Sequence, residues 1–153
     1  RAGLRQTWGG ILLAMSVVTF LSLLTYNWED IDILKAADDE PSRNCFGQAG
    51  AWLIYILLSG FGLVAATFPV WMAYFGLFLV FKPAQRFVSR VIWTALVVFA
   101  ASLLVEVKPE FWHTYGNRFN IEPALGGVPA HFAASRALIP LLNESGTAIV
   151  AIV

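Results

Sequence analysis

Few residues in this chain have the types and spacing that chemistry requires. Asp38, Asp39 and Glu40 form an acidic run that could draw a divalent ion or a basic partner, or stand as an ordinary solvated loop. Arg136 and Glu144 are the charges of the apolar tail; beside a membrane helix they raise an ion path or a partner contact, against a solvated amphipathic face. His113 and His131 are the two histidines, and neither belongs to a convincing cluster of carboxylates or cysteines at ligand spacing, so no metal site is expected. Cys45 is the single cysteine, which excludes a disulfide within the chain. Hydroxyls at Ser16, Thr19, Ser22, Thr67, Thr94 and Ser102 have no base to activate them. No Gly-Lys pair occurs, so a phosphate-cradling Walker A loop is absent and no catalytic group or cofactor is expected.

The elements that must carry these residues are membrane helices. Of 153 residues 58% are hydrophobic and 13% charged, where soluble chains carry roughly a quarter charged. A net charge of zero and the lack of a basic patch exclude direct nucleic-acid binding. The first apolar run, 8–26, is long enough to span, with Trp8 and Tyr26 at its ends and no cleavage-site pattern after it. Its apolar residues contribute about −3 to −5 kcal/mol to insertion with no charge opposing them. The chain starts on Arg1 and stops within an apolar run, which suggests a piece of a longer protein.

Arg1 and Arg5 precede this span, an acidic loop follows it, and Lys82, Arg86 and Arg90 lie in the next basic segment. Positive charge stays inside. The N-terminus is therefore expected in the cytoplasm, the acidic loop outside, and a third span at 87–105 running outward.

Residues 47–81 carry no charged side chain, yet are too long for one crossing and too short for two. The expected solution is a short interfacial helix at 50–59, a hinge at Gly60 and Gly62, and a span at 63–81 kinked by Pro69. In the tail, Arg136 and Glu144 would each cost about 2.5 to 3.5 kcal/mol at mid-membrane. A second interfacial helix is therefore expected at 128–142, broken near Pro140 and Gly146, with a fourth span from 147 onward. The glycine-led pattern from Gly47 then recurs from Gly127 as a weak internal repeat. Gly47 and Gly50 could form a packing or recognition surface or merely start a helix, and the small pairs Gly10/Ala14 and Gly62/Ala66 suit helix packing.

The stretches "LLTYNWEDID", "NCFGQAGAWL", "GFGLVAATFPV" and "GGVPAHFAASRALIPLLNESGTAIVAIV" resemble the N-terminal four-span membrane region of the FtsK/SpoIIIE bacterial DNA translocases. The most specific matches are Asn44, Gly47, Gly50, Ala51 and Leu53, then Gly62, Ala65 and Pro69, then Gly126 and Gly127 with Leu141, Leu142 and Gly146. The resemblance implies an all-α integral membrane domain over 1–153, a four-helix bundle with its fourth span truncated and two outer interfacial helices. It further implies a septal anchor in the bacterial inner membrane, acting in cell division and chromosome partition and followed by an ATP-driven motor. Its implied partners are lipid, other copies of itself in a hexamer, and other cell-division membrane proteins. Interaction candidates are Asn44, Gly47, Gly50, Gly62, Pro69, Gly126, Gly127 and Gly146. The alternative is a stand-alone polytopic protein such as a transporter or channel subunit, against which the unpolar interiors of the first three spans argue.

Overall fold

Apolar runs that meet hydrocarbon must satisfy their own backbone groups, which restricts them to helices. A computed structural model describes residues 2–31, 42–81, 87–121 and 124–152, and every regular element among them is helical. The acidic run at Asp38, Asp39 and Glu40, and the basic residues Lys82 and Arg86, lie outside the described residues.

Helix α1 is Ala2–Leu24, α2 Gly47–Phe61, α3 Phe68–Phe81, α4 Phe87–Val107 and α5 His113–Phe119. Helix α6 is Val128–Ala133 and α7 Ile139–Ile152, with a π-helical turn, Ala134–Leu138, joining them. Among the described residues, three helical runs are long and apolar enough to cross a membrane: Gly3–Leu24, Gly47–Phe81 and Phe87–Val107. Helix α7 has 14 residues, fewer than a crossing needs.

The expected break in the second run lies at Gly62 (φ 59°), while Gly60 remains inside α2. A left-handed glycine just past the last helical residue is a standard helix stop. Six 3-10 residues, Gly62–Thr67, then lead into α3. At their respective rises these six and the 14 residues of α3 cover about 33 Å, close to the thickness of a hydrocarbon core. Pro69 is the second residue of α3, where a missing N–H costs nothing. It therefore starts the helix and does not kink it, contrary to the sequence expectation. Helix α2 also begins at Gly47 and not at Gly50, because Gly47 (φ 61°) turns the chain and its amide bonds the Asn44 carbonyl at 2.8 Å.

In the tail the expected breaks at Pro140 and Gly146 are both helical. The discontinuity stands between them, at Asn143 (φ 61°, ψ 170°). Pro140 is again the second residue of its helix.

The chain forms two compact units, Arg1–Ile54 with Ala66–Phe87, and Tyr55–Ala65 with Val88–Val153. In the first, α1 and α3 pack along one another at bare backbone: a Cβ on Gly9 would lie 2.7 Å from Val80 Cγ2, and one on Gly76 2.8 Å from Leu13 Cγ. Further along, the Ser16 hydroxyl donates to the Pro69 carbonyl at 2.7 Å and Thr19 to Met72 Sδ at 3.7 Å. Gly10, the residue the sequence suggests for packing, has nothing within 4 Å of its missing Cβ. In the second unit, Leu103 of α4 packs with Ala130 and Ala134, flanked by Ala133, Leu138, Ile139 and Ala151.

Candidate interaction site

The positions flagged by sequence gather at two places, one in each unit. In the first, the loop after α1 is closed by side chains aimed at backbone. Asn27 caps the 3-10 turn Trp28–Asp30 by accepting from the Glu29 amide. The Asp30 carboxylate accepts the amides of Arg43 and Asn44, each at 2.9 Å. Buried Asn44 donates through Nδ2 to the Ser22 carbonyl at 2.8 Å and accepts the Phe46 amide at 3.0 Å, while the Cys45 amide reaches Thr25 Oγ1 at 3.1 Å. Gly50 fits over this knot, because a Cβ there would meet Asn44 Oδ1, Phe46 Cβ and Ser22 Oγ. Gly47 differs: nothing lies within 4 Å of its missing Cβ.

The second place, in the second unit, is an interlock of three backbone segments. Because Gly62 turns left-handed, the carbonyl of Phe61 and the amide of Leu63 leave the helical ladder. The Ser102 hydroxyl donates to Phe61 at 3.2 Å, and Leu63 donates to the Leu125 carbonyl at 2.9 Å. Gly127 (φ 86°) heads α6, and a Cβ on it would lie 2.6 Å from the Gly60 carbonyl oxygen. A Cβ on Gly62 would overlap the Leu125 carbonyl oxygen, and one on Gly126 the Ser102 carbonyl oxygen. Only glycine permits the approach at these three positions.

Glu106, near the end of α4, holds the turn in place. Its side chain is 10% exposed. Oε2 accepts the Gly126 amide at 2.8 Å, and Oε1 lies 2.6 Å from His131 Nδ1. An ionised carboxylate can only accept, so in that state Nδ1 carries the proton. The sequence reading leaves His131 without a carboxylate partner; the fold supplies one from 25 residues away. Neither Glu106 nor Ser102 is singled out as a site by sequence, since each lies on an apolar helix with its partners in a distant loop. The run "SLLVEV", with Ser102 and Glu106 four residues apart and so on one face of α4, is the signal that the sequence carries.

The remaining flagged residues do less. Pro69 is buried and offers its carbonyl to Ser16. Gly146 is half-buried within α7, a Cβ on it 3.0 Å from Leu142 Cβ. Arg136 is exposed, its guanidinium 5.5 Å from the Phe132 ring centroid, and Glu144 is exposed. Among the described residues, no three His, Cys, Asp or Glu side chains come together.

Long apolar helices, broken at left-handed residues and joined backbone to backbone through glycines, define an integral membrane helical protein. The chain belongs to the family of the 4TM region of DNA translocase FtsK/SpoIIIE, whose family model matches residues 1–153. Comparison with curated proteins and with solved structures returns no match. The family's membrane region is a part separate from its motor, and the translocase and cell-division context belongs to it.

Proposed function

We propose that this chain is the membrane anchor and oligomerisation module of a septal DNA translocase acting in cell division and chromosome segregation. The family match over the whole chain carries the reading. The physical support is that side chains of the two sites fasten backbone: Ser102, Asn44 and Asp30 each hold a carbonyl or an amide, as Ser16 does between α1 and α3. Such an arrangement ties backbone segments to one another, as a packed helical platform requires. The N-terminus lies in the cytoplasm in this reading, since Arg1 and Arg5 precede α1 and acids dominate the loop after it. Partners are lipid, further copies of the chain and other division proteins in the inner membrane; Gly47 and Gly50 head the helix that forms part of its outer surface.

The test is to fuse residues 1–153 to a fluorescent protein in dividing bacteria. Concentration at the division site is the expected result, and uniform membrane fluorescence overturns the septal role. A reporter on the N-terminus, active only in the cytoplasm, checks the orientation.

One observation favours a conducting protein: two broken helices meet, as in transporters with discontinuous spans. The polar pair beside that junction is Glu106 with His131, and Glu106 lies one residue from the end of α4, not at mid-span. Ion flux through vesicles holding the purified chain would support that reading, and tight vesicles would dismiss it.

A further inference from the structure

The two sites are built on one plan. "VVTFLSLL" begins at Val17 and "VVFAASLL" at Val97, 80 residues later, with Val, Val, Ser, Leu and Leu in the same places. The spacing holds onward: Gly47 and Gly127, and Leu58 and Leu138, are also 80 residues apart. The backbone repeats with it. Gly47 and Gly127 both have positive φ and both head a helix. Three and seven residues after each stand buried Gly50 and Ile54, and buried Ala130 and Ala134. The helical run that each glycine heads is broken at a positive-φ residue, Gly62 after α2 and Asn143 within α7, beyond α6 and the π-helical turn. The second interval is longer by one residue, and the π-helical turn Ala134–Leu138 is the form in which a helix absorbs an inserted residue. Ser22 and Ser102, matched by the same spacing, are both buried and both sit under the helix start that follows, Ser22 against Gly50 and Ser102 against Gly126.

In such a tandem pair one junction is made and one is open. The made junction is the break of the first repeat on the leader of the second, Gly62 and Leu63 on Leu125–Gly127, where Leu125 is 2% exposed. Its counterparts are the break of the second repeat and the leader of the first. Here Leu141 is 80% and Leu142 43% exposed, with Asn143 and Glu144 exposed beside them. Cys45 and Phe46 are exposed as well, and Gly47 keeps the empty space that the Gly60 carbonyl occupies at Gly127.

We propose that the break at Leu141–Glu144 of one copy of this chain docks on the leader Cys45–Gly47 of the next, repeating between chains the junction made within one. The inference rests on the oligomerisation reading above and names its surface. The two faces differ, so the contact is head-to-tail and propagates; rotation between successive copies closes it into a ring in which the two repeats alternate. The partner is a second copy because the surface that fits the open break is the leader of this same repeat.

Cys45, the native cysteine, makes the test direct. Glu144 stands where Leu63 stands in the first repeat, and Cys45 where Leu125 does. In membranes holding Glu144→Cys with native Cys45, mild oxidation is expected to replace the monomer band by a ladder of dimers, trimers and larger species on a non-reducing gel. Adding Cys45→Ser should abolish everything beyond a dimer. A Leu142→Cys variant, probed the same way, guards against a local distortion at position 144. The proposal is overturned if both variants stay monomeric, close internally, or stop at dimers. If a lysine- and carboxyl-reactive cross-linker still yields oligomers in those membranes, this junction is wrong and oligomerisation stands; if it yields none, oligomerisation falls as well.

Discussion

A side chain on Gly62 would fall on the carbonyl oxygen of Leu125, the same oxygen that accepts the Leu63 amide at 2.9 Å. The break in the second apolar run and the turn before α6 are thus one structural feature. Neither backbone can move without the other.

Gly62→Ala should therefore be among the most damaging small changes in the chain. It adds left-handed strain of about 1 to 2 kcal/mol and an overlap with backbone costing about 1 to 3 kcal/mol more. Thermal unfolding in detergent should show a large loss. Gly10→Ala, with open space at its Cβ, serves as the silent control.

The α1–α3 contact gives a second comparison. Gly9 and Gly76 meet side chains and each other's carbonyl, and Gly10 meets nothing. Gly76→Leu should lower stability by several kcal/mol through overpacking, and Gly10→Leu should leave it within about 0.5 kcal/mol, as an exposed site does. Equal effects at the two positions would show that α1 presents another face to α3.

Glu106 binds both the Gly126 amide and His131. Glu106→Ala leaves a buried amide unpaired, at a cost of about 1 to 3 kcal/mol. His131→Ala should cost less, because its ring is 36% exposed and water can replace it. In a double-mutant cycle on unfolding, the pair should couple by about 0.5 kcal/mol or more; additivity would dissolve the contact.

Asn143 holds φ 61° and ψ 170°, a region that glycine alone enters readily. Its side chain accepts the Glu144 amide at 2.8 Å and its carbonyl accepts the Thr147 hydroxyl at 2.9 Å. Asn143→Gly exchanges that side-chain bond for relief of strain and should lie within about 1 kcal/mol of the native chain. Asn143→Val, branched at Cβ, should lose about 1 to 3 kcal/mol by the same measure. Urea or heat unfolding of the two variants separates them.

Helix type, and the need for a break near Gly62, were legible from the sequence because both follow from local rules: apolar runs of spanning length, and a charge-free stretch that no single crossing can use. Its reach ended where partners are distant. It pointed to Gly10 and not to Gly9, since small residues look alike until a facing helix selects one. It expected Pro69 to kink a span, because the role of proline depends on whether a helix is starting there, and that start is decided by Gly62 and its hold on Leu125. The tail break was bracketed by Pro140 and Gly146, yet fell on Asn143, whose side chain caps its own chain in a conformation no propensity favours.

By itself, then, the order of residues determined an all-helical membrane chain, its apolar segments and the glycines at which the backbone turns. Tertiary structure alone decided that Gly62, Gly126 and Gly127 close on one another and that Glu106 serves His131. The physical reason is that hydrophobicity and helix propensity act along the chain, whereas steric exclusion at a missing Cβ and the pairing of a buried carboxylate exist only once segments distant in sequence have met.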